Sequence, residues 1–139
     1  TDVKSEIQKR YTKMNTALGN KNVVGAFEYY DPNFTGISVS GQIIGLGSAK
    51  QVATQIIQTA KSISITTTIS TLSLKDSTAN LKTKTHAVLT IIDPGTKKLN
   101  KLEIDDVSED TWVKGATGWL WKYSKTLIST TKVNGKRTQ

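Results

Sequence analysis

Asp110–Thr131 reads DTWVKGATGWLWKYSKTLISTT, and the rest of the chain is organised around it. All three tryptophans of the protein, Trp112, Trp119 and Trp121, fall within this stretch. Lys114-Gly115-Ala116-Thr117-Gly118 separates two runs of strand formers, as the loop of a β-hairpin does. After the loop, Trp119, Trp121 and Tyr123 alternate with Leu120, Lys122 and Ser124. Side chains two apart in a strand share a face, so the spacing predicts three aromatic rings on one side of the strand. A face of that kind has to be covered, and the segments before it supply the cover.

At 139 residues the chain is the size of one domain and long enough to bury a core without staples. It contains no cysteine, which excludes disulfides, zinc–thiolate sites and a cysteine nucleophile. Its apolar runs are far shorter than the roughly 20 residues that span a bilayer as a helix. The absence of cysteine, the many serines and threonines and the start at Thr1 fit an exported bacterial protein, periplasmic or secreted. The net charge is +8, from 19 Lys plus Arg against 11 Asp plus Glu. Such an excess attracts anions without specificity, which makes a polyanion-binding surface one reading. The lysines are scattered and do not interleave with aromatics, so nucleic acid is not the expected partner.

Val3, Ile7, Tyr11, Met14 and Leu18 recur at helical spacing, with Asp2 placed to cap the first turn and Gly19 to serve the left-handed exit. Asn22 opens a second, short helix that stops near Asp31, because the residue before Pro32 is driven from helical geometry. Phe34–Val39 is strand-like and turns at Ser40-Gly41. Ser48 is the expected cap of a third helix whose stripe is Val52, Ala53, Ile56, Ile57 and Ala60. From Ser62 the period becomes two. Ile63, Ile65, Thr67 and Ile69 alternate, then Leu72 and Leu74 continue in the opposite register, which predicts a bulge. Further strands follow over Leu81–Ile91 and Leu99–Val113, with a turn at Asp93-Pro94-Gly95-Thr96. The polar tail Asn134–Gln139 reads as frayed.

Helices first and long strands afterwards give an α+β fold: three N-terminal helices on a strongly bent antiparallel sheet, as a single domain over residues 1–139. A bent sheet wrapped round the first helix makes a cone with a pocket at its mouth. The order of elements resembles the nuclear transport factor two-like superfamily, SnoaL-like branches included, of cystatin-like fold. The resemblance covers nearly the whole chain. It rests on Gly19-Asn20-Lys21-Asn22 before the second helix, on Tyr29-Tyr30-Asp31-Pro32-Asn33-Phe34 after it, on the glycine-marked Gly41–Lys50, and on Asp110–Lys114 with Gly118-Trp119.

The fold hosts isomerases, dehydratases, cyclases, ligand binders and dimerisation modules, so activity has to be read from the site. The resemblance to ketosteroid isomerases puts their aspartate base near Ser38, which cannot act as that base. It puts their tyrosine at Tyr11 after a shift of about one turn. The dehydratase branch uses histidine and aspartate in the pocket. The only histidine here, His86, alternates with Thr85 and Ala87 beside Lys82 and Lys84 and reads as an outer-face residue.

No catalytic set is expected from these residues, and no metal or cofactor. Tyr11, Tyr30, Phe34, Trp119, Trp121 and Tyr123 are the candidate lining of a partly apolar pocket for a small hydrophobic ligand, with plain core as the other reading. The acidic run Glu103, Asp105, Asp106, Glu109 and Asp110 splits across two faces and reads as cross-strand pairing with Lys84, Lys122 or Lys125. An enzyme reading uses Tyr11 with Asp31 or Glu109 for proton transfer on a hydrophobic carbonyl compound. Val88, Ile92, Leu120 and Ile128, with Thr90 and Thr126 between them, point away from the helices. That surface predicts a homodimer through the outer sheet face.

Overall fold

The structure is a computed structural model and describes residues 2–138. Helix α1 (Val3–Gly19) begins at Asp2, whose carboxylate accepts from the Lys4 N–H at 3.1 Å. Its stripe buries Ile7, Tyr11 and Met14. The left-handed exit falls on Lys21 (φ 62°) and not on Gly19, which stays helical. Asn22 caps α2 (Val23–Ala26) by accepting from the Gly25 N–H. A Cβ at Gly25 would lie 2.8 Å from that of Ala17, so glycine lets α2 pack directly on α1.

Helix α2 is one turn long, shorter than the sequence predicts. The Trp121 N–H donates to the Tyr29 carbonyl at 2.7 Å and draws the chain into the sheet as β1 (Tyr30–Ile37). Strand β2 (Ile43–Gly45) follows and runs straight into α3 (Leu46–Thr59). That helix therefore starts at Gly45 without a side-chain cap, before the expected Ser48. Ala53 is its buried residue, and Ile56 and Ile57 pack against the sheet.

The long strands are β3 (Ala60–Lys75), β4 (Thr78–Ile92), β5 (Leu99–Gly115) and β6 (Gly118–Val133), each antiparallel to the next. The sheet order is β2-β1-β6-β5-β4-β3. One pairing departs from the expected antiparallel sheet: β1 lies parallel to β6, with Tyr30 opposite Trp121 and Thr35 opposite Tyr123. The predicted bulge in β3 falls at Ser70, which is skipped between the pairs Ile69–Thr83 and Thr71–Lys82. Bulges add twist and bend to the strand that carries them.

Strand β6 carries two more. Lys122 is skipped between the pairs Trp112–Trp121 and Thr111–Tyr123, and Leu127 between Ser108–Thr126 and Val107–Ile128. Each extra residue reverses the alternation, so the segment between them is inverted. Tyr123 therefore leaves the face of Trp119 and Trp121 and looks outward with Thr111. Thr126, expected outside, looks inward with Ser124. Beyond Leu127 the original alternation returns, and Ile128 faces out as predicted.

The tail is not frayed where it is described. Asn134 (φ 53°) and Gly135 (φ 84°) turn it, and β7 (Lys136–Thr138) pairs with β6. Asn-Gly between strands is a strong hairpin signal. Gln139 lies outside the described residues.

Two cores fill the concave side. Ile7, Tyr11, Met14, Ile69, Leu81, Trp112 and Trp119 form the first. Ala60, Ile63 and Leu89 form the second, with Leu18, Ile56 and Ile57 packed on it. Between them a polar band crosses the sheet, including the buried Thr67, Thr83, Ser108 and Asp110. No helix among the described residues is long and apolar enough to cross a membrane.

Candidate functional site

Asp110 sits at the centre of the polar band. On β5 it lies opposite Leu81 of β4 and Ser124 of β6, facing α1. The Tyr11 hydroxyl donates to its Oδ2 at 2.5 Å, and Trp112 Nε1 donates to the Tyr11 oxygen at 2.9 Å. The hydroxyls of Ser124 and Ser108 donate to Oδ1 at 2.7 and 3.0 Å. Thr83 extends the chain to Ser108 at 2.8 Å.

Asp110 is 3% exposed. Burial pushes its pKa above the ordinary 3.8, while the hydrogen bonds from Tyr11, Ser124 and Ser108 pull the other way. Burial, then the charge of Asp110, holds the Tyr11 hydroxyl well above its ordinary 10.0. The same two causes raise Tyr30. Both oxygens of Asp110 are thus occupied by donors, and a carboxylate that only accepts is well matched to them.

Beside this network, β1, β6 and α3 line an open cavity of about 400 Å³. Tyr30 and Phe34 form one wall, Trp121, Ser124 and Thr126 the floor, and Val52 of α3 part of the rim. The rings pack on one another, with centroids 4.7 Å apart for Tyr30–Phe34, 4.8 Å for Tyr30–Trp121 and 5.4 Å for Phe34–Trp121. Ser124 belongs to both structures. It is part of the cavity floor and donates to Asp110. The volume suits a small organic molecule, and the lining is mostly apolar with a few hydroxyls.

Of the six aromatic residues picked out by sequence, the cavity gathers three: Tyr30, Phe34 and Trp121. Tyr11 stands behind Trp121, ring centroids 5.2 Å apart, with its hydroxyl turned to Asp110. Trp119 is buried in the core under α1. Tyr123 is on the convex face, grouped with Asn80, Lys82 and Thr111. Neither carboxylate proposed as a partner for Tyr11 reaches it. Asp31 accepts from the Asn33 N–H and lies 3.7 Å from Lys122, and Glu109 is exposed on the outer face opposite Lys82 and Lys125. His86 is on the outer face as expected, 2.7 Å from Asp105. Among the described residues no cluster of three or more His, Asp or Glu side chains could hold a metal.

Sequence reasoning placed Asp110 in an acidic run paired with lysines, whereas the structure buries it among the hydroxyls of Tyr11, Ser108 and Ser124; it did not pick out Ser108 or Ser124 as site residues. A signal for Asp110 existed: Leu102, Ile104, Asp106, Ser108, Asp110 and Trp112 have strand spacing, and Trp112 anchors that series inward. No comparable signal existed for Ser124, whose direction depends on the bulge at Lys122.

No protein-family model matches the chain, and no curated protein matches it in sequence. Solved structures do. A protein from Kribbella flavida superposes with a TM-score of 0.76 at 12% identity, over 94% of this chain and 93% of that one. A cystatin-like-fold domain of unknown function from Nostoc punctiforme superposes with a TM-score of 0.67 at 16% identity, over 91% and 78%. The protein has the cystatin-like fold. Two further neighbours share the fold. A nuclear transport factor 2-like superfamily protein from Salmonella enterica serovar Typhimurium has a TM-score of 0.70 at 13% identity, over 89% of each chain. A provisionally assigned scytalone dehydratase from Novosphingobium aromaticivorans has a TM-score of 0.75 at 16% identity, over 89% and 83%. At these identities the likeness is one of fold, and the nuclear transport factor 2-like, cystatin-like neighbours agree with the architecture built above.

Proposed function

We propose that the protein binds a small, largely hydrophobic ligand in the cavity between β1, β6 and α3. The observation that carries this is the wall of Tyr30, Phe34 and Trp121 around about 400 Å³ of space. Aromatic walls with a few hydroxyls bind by apolar burial and orient by hydrogen bonding. The saturated network around Asp110 supports the site as a rigid second layer. Naphthol titrated against tryptophan emission tests the reading. Binding is expected for the wild type and is lost in Thr126→Trp, which fills the cavity floor. Unchanged binding in that variant would remove the cavity from consideration.

A second reading, an enzyme acting on a hydrophobic carbonyl compound, is favoured by Ser124. Ser124 lines the cavity and its hydroxyl donates to the buried Asp110, so one side chain connects a ligand with the carboxyl as a route for a proton. Neighbours of this fold that are provisionally assigned as dehydratases support that reading. It predicts that α-protons of a cyclic enone exchange with deuterated water in the presence of the protein and not of Asp110→Asn.

We also propose pairing of two copies through the outer sheet face. Ile92 and Ile128 are exposed there, with Val88 and Leu120 on the same side. A self-complementary patch of this kind suits two-fold symmetry.

A further inference from the structure

Asp106 is a partly buried carboxylate that the fold turns inward, with one oxygen left without a donor. On β5 it lies opposite Thr85 and Ser129, two residues before Ser108 and therefore on the same concave face. Its Oδ1 is buried and has no hydrogen-bond partner among the described residues. A buried polar atom without a partner is uncommon in folded proteins and calls for a reason. Asp110, only four residues along, shows what the same face does for a structural carboxylate: it surrounds it with three hydroxyl donors.

Position supplies the reason. Ser108 pairs with Thr126, which is part of the cavity floor, so Asp106 stands one inward step beyond that end of the cavity, about 7 Å along the strand. Charge sharpens it. The chain as a whole is +8. Yet over the covered part of the concave face the ionisable side chains of β3–β6 are Asp106 and Asp110. Lys114 and Lys136 reach that side only near its two ends, opposite Trp119 and Val133. The interior is acidic inside a basic shell.

We infer that the ligand of this cavity carries an ammonium group, or an equivalent organic cation, that donates to Asp106 while its apolar part lies against Phe34 and Trp121. The inference rests on the cavity reading above and adds the charge of the ligand to it. The missing donor is then supplied by the ligand, and a charge-assisted hydrogen bond in a sheltered site is among the stronger polar contacts. The surrounding field works against this choice: a protein of this net charge gathers anions at its surface. A preference for the cation therefore has to come from the site.

Phenylbutylamine, phenylbutanol and phenylbutyrate share one ring and chain and differ in charge. Calorimetric titration at neutral pH should give the amine an affinity about tenfold above the alcohol, with the acid weakest. Asp106→Asn should bring the amine down to the alcohol, and continued binding of the alcohol shows that the cavity is intact. If that variant does not fold, Asp106→Thr takes its place. An amine no tighter than the alcohol overturns the inference and leaves the cavity reading standing. So does an advantage that survives removal of Asp106. Failure of all three compounds to bind overturns both.

Discussion

The Tyr11 hydroxyl and Asp110 Oδ2 meet at 2.5 Å, although 99 positions of sequence separate them. The contact ties the first helix to the middle of the sheet at a point where both partners are buried. It makes the helix–sheet interface directional, because the hydroxyl also accepts from Trp112 Nε1. Apolar packing alone would let α1 slide or rotate; a buried acceptor with one correct donor does not.

Tyr11→Phe should destabilise the protein more than the loss of one oxygen suggests. It strands a carboxylate oxygen and an indole N–H, each a buried group without its partner. Such groups cost about 1–3 kcal/mol apiece, so about 2–6 kcal/mol is expected. Urea unfolding followed by circular dichroism measures it. A loss below about 0.5 kcal/mol would mean that water enters and replaces the hydroxyl.

The raised pKa of Asp110 predicts a slope in stability with pH. In the unfolded chain this carboxyl titrates near its ordinary 3.8, and in the native protein it titrates higher. Between the two values the native state holds the proton that the unfolded state has released. The contribution of this group is fully present below 3.8 and is lost as pH rises through the native value. The difference in unfolding free energy between the wild type and Asp110→Asn, measured against pH, should follow that course. A difference that grows more favourable to the wild type as pH rises through the acid range would reverse the assignment.

Tyr11 and Tyr30 predict the alkaline limit. Both hydroxyls are held above their ordinary 10.0 by burial and by Asp110. Above that value the unfolded chain loses protons that the native chain keeps, so stability falls as pH rises. Tyrosinate absorbance should therefore show two of the four tyrosines ionising in the same step that abolishes the circular dichroism signal. Ionisation of all four with the fold intact would show that water reaches both.

Trp119 and Trp121 should differ. Trp119 is buried under α1, and its truncation to Ala should cost about 3–5 kcal/mol. Trp121 is half-buried and borders the cavity, so its truncation should cost less and weaken ligand binding more. Denaturation and naphthol titration of the two variants give the comparison. Equal stability losses would argue against an open cavity beside Trp121.

Ile128→Lys places a charge on the outer face at a residue that is 59% exposed. The fold should persist and the proposed pair should separate, because symmetry puts the charge in the interface twice. Light scattering on both proteins reads the outcome. A wild type with the mass of one chain, 15.2 kDa, at micromolar concentration would refute the pairing.

Local pattern determined a great deal of this protein. The stripe Ile7, Tyr11, Met14 placed the first helix against the sheet, and the change from helical spacing to a period of two placed the long strands. The switch at Ile69–Leu72 located a bulge to within a residue, because a register change is written directly into the alternation of apolar side chains. Asn134-Gly135 could have located β7 as well.

What only the tertiary structure decided lies in the second half of β6. From Lys122 to Ser129 the strand is a mixture of small polar and apolar residues, and either register hides and exposes similar side chains. Pairing with β5 breaks that tie. Asp110 needs donors, and skipping Lys122 turns Ser124 toward it while turning Tyr123 away. The parallel pairing of β1 with β6 and the meeting of Tyr11 with Asp110 are of the same kind. Each depends on partners far apart in the chain, and a period read along one segment carries no information about which segment will lie beside it.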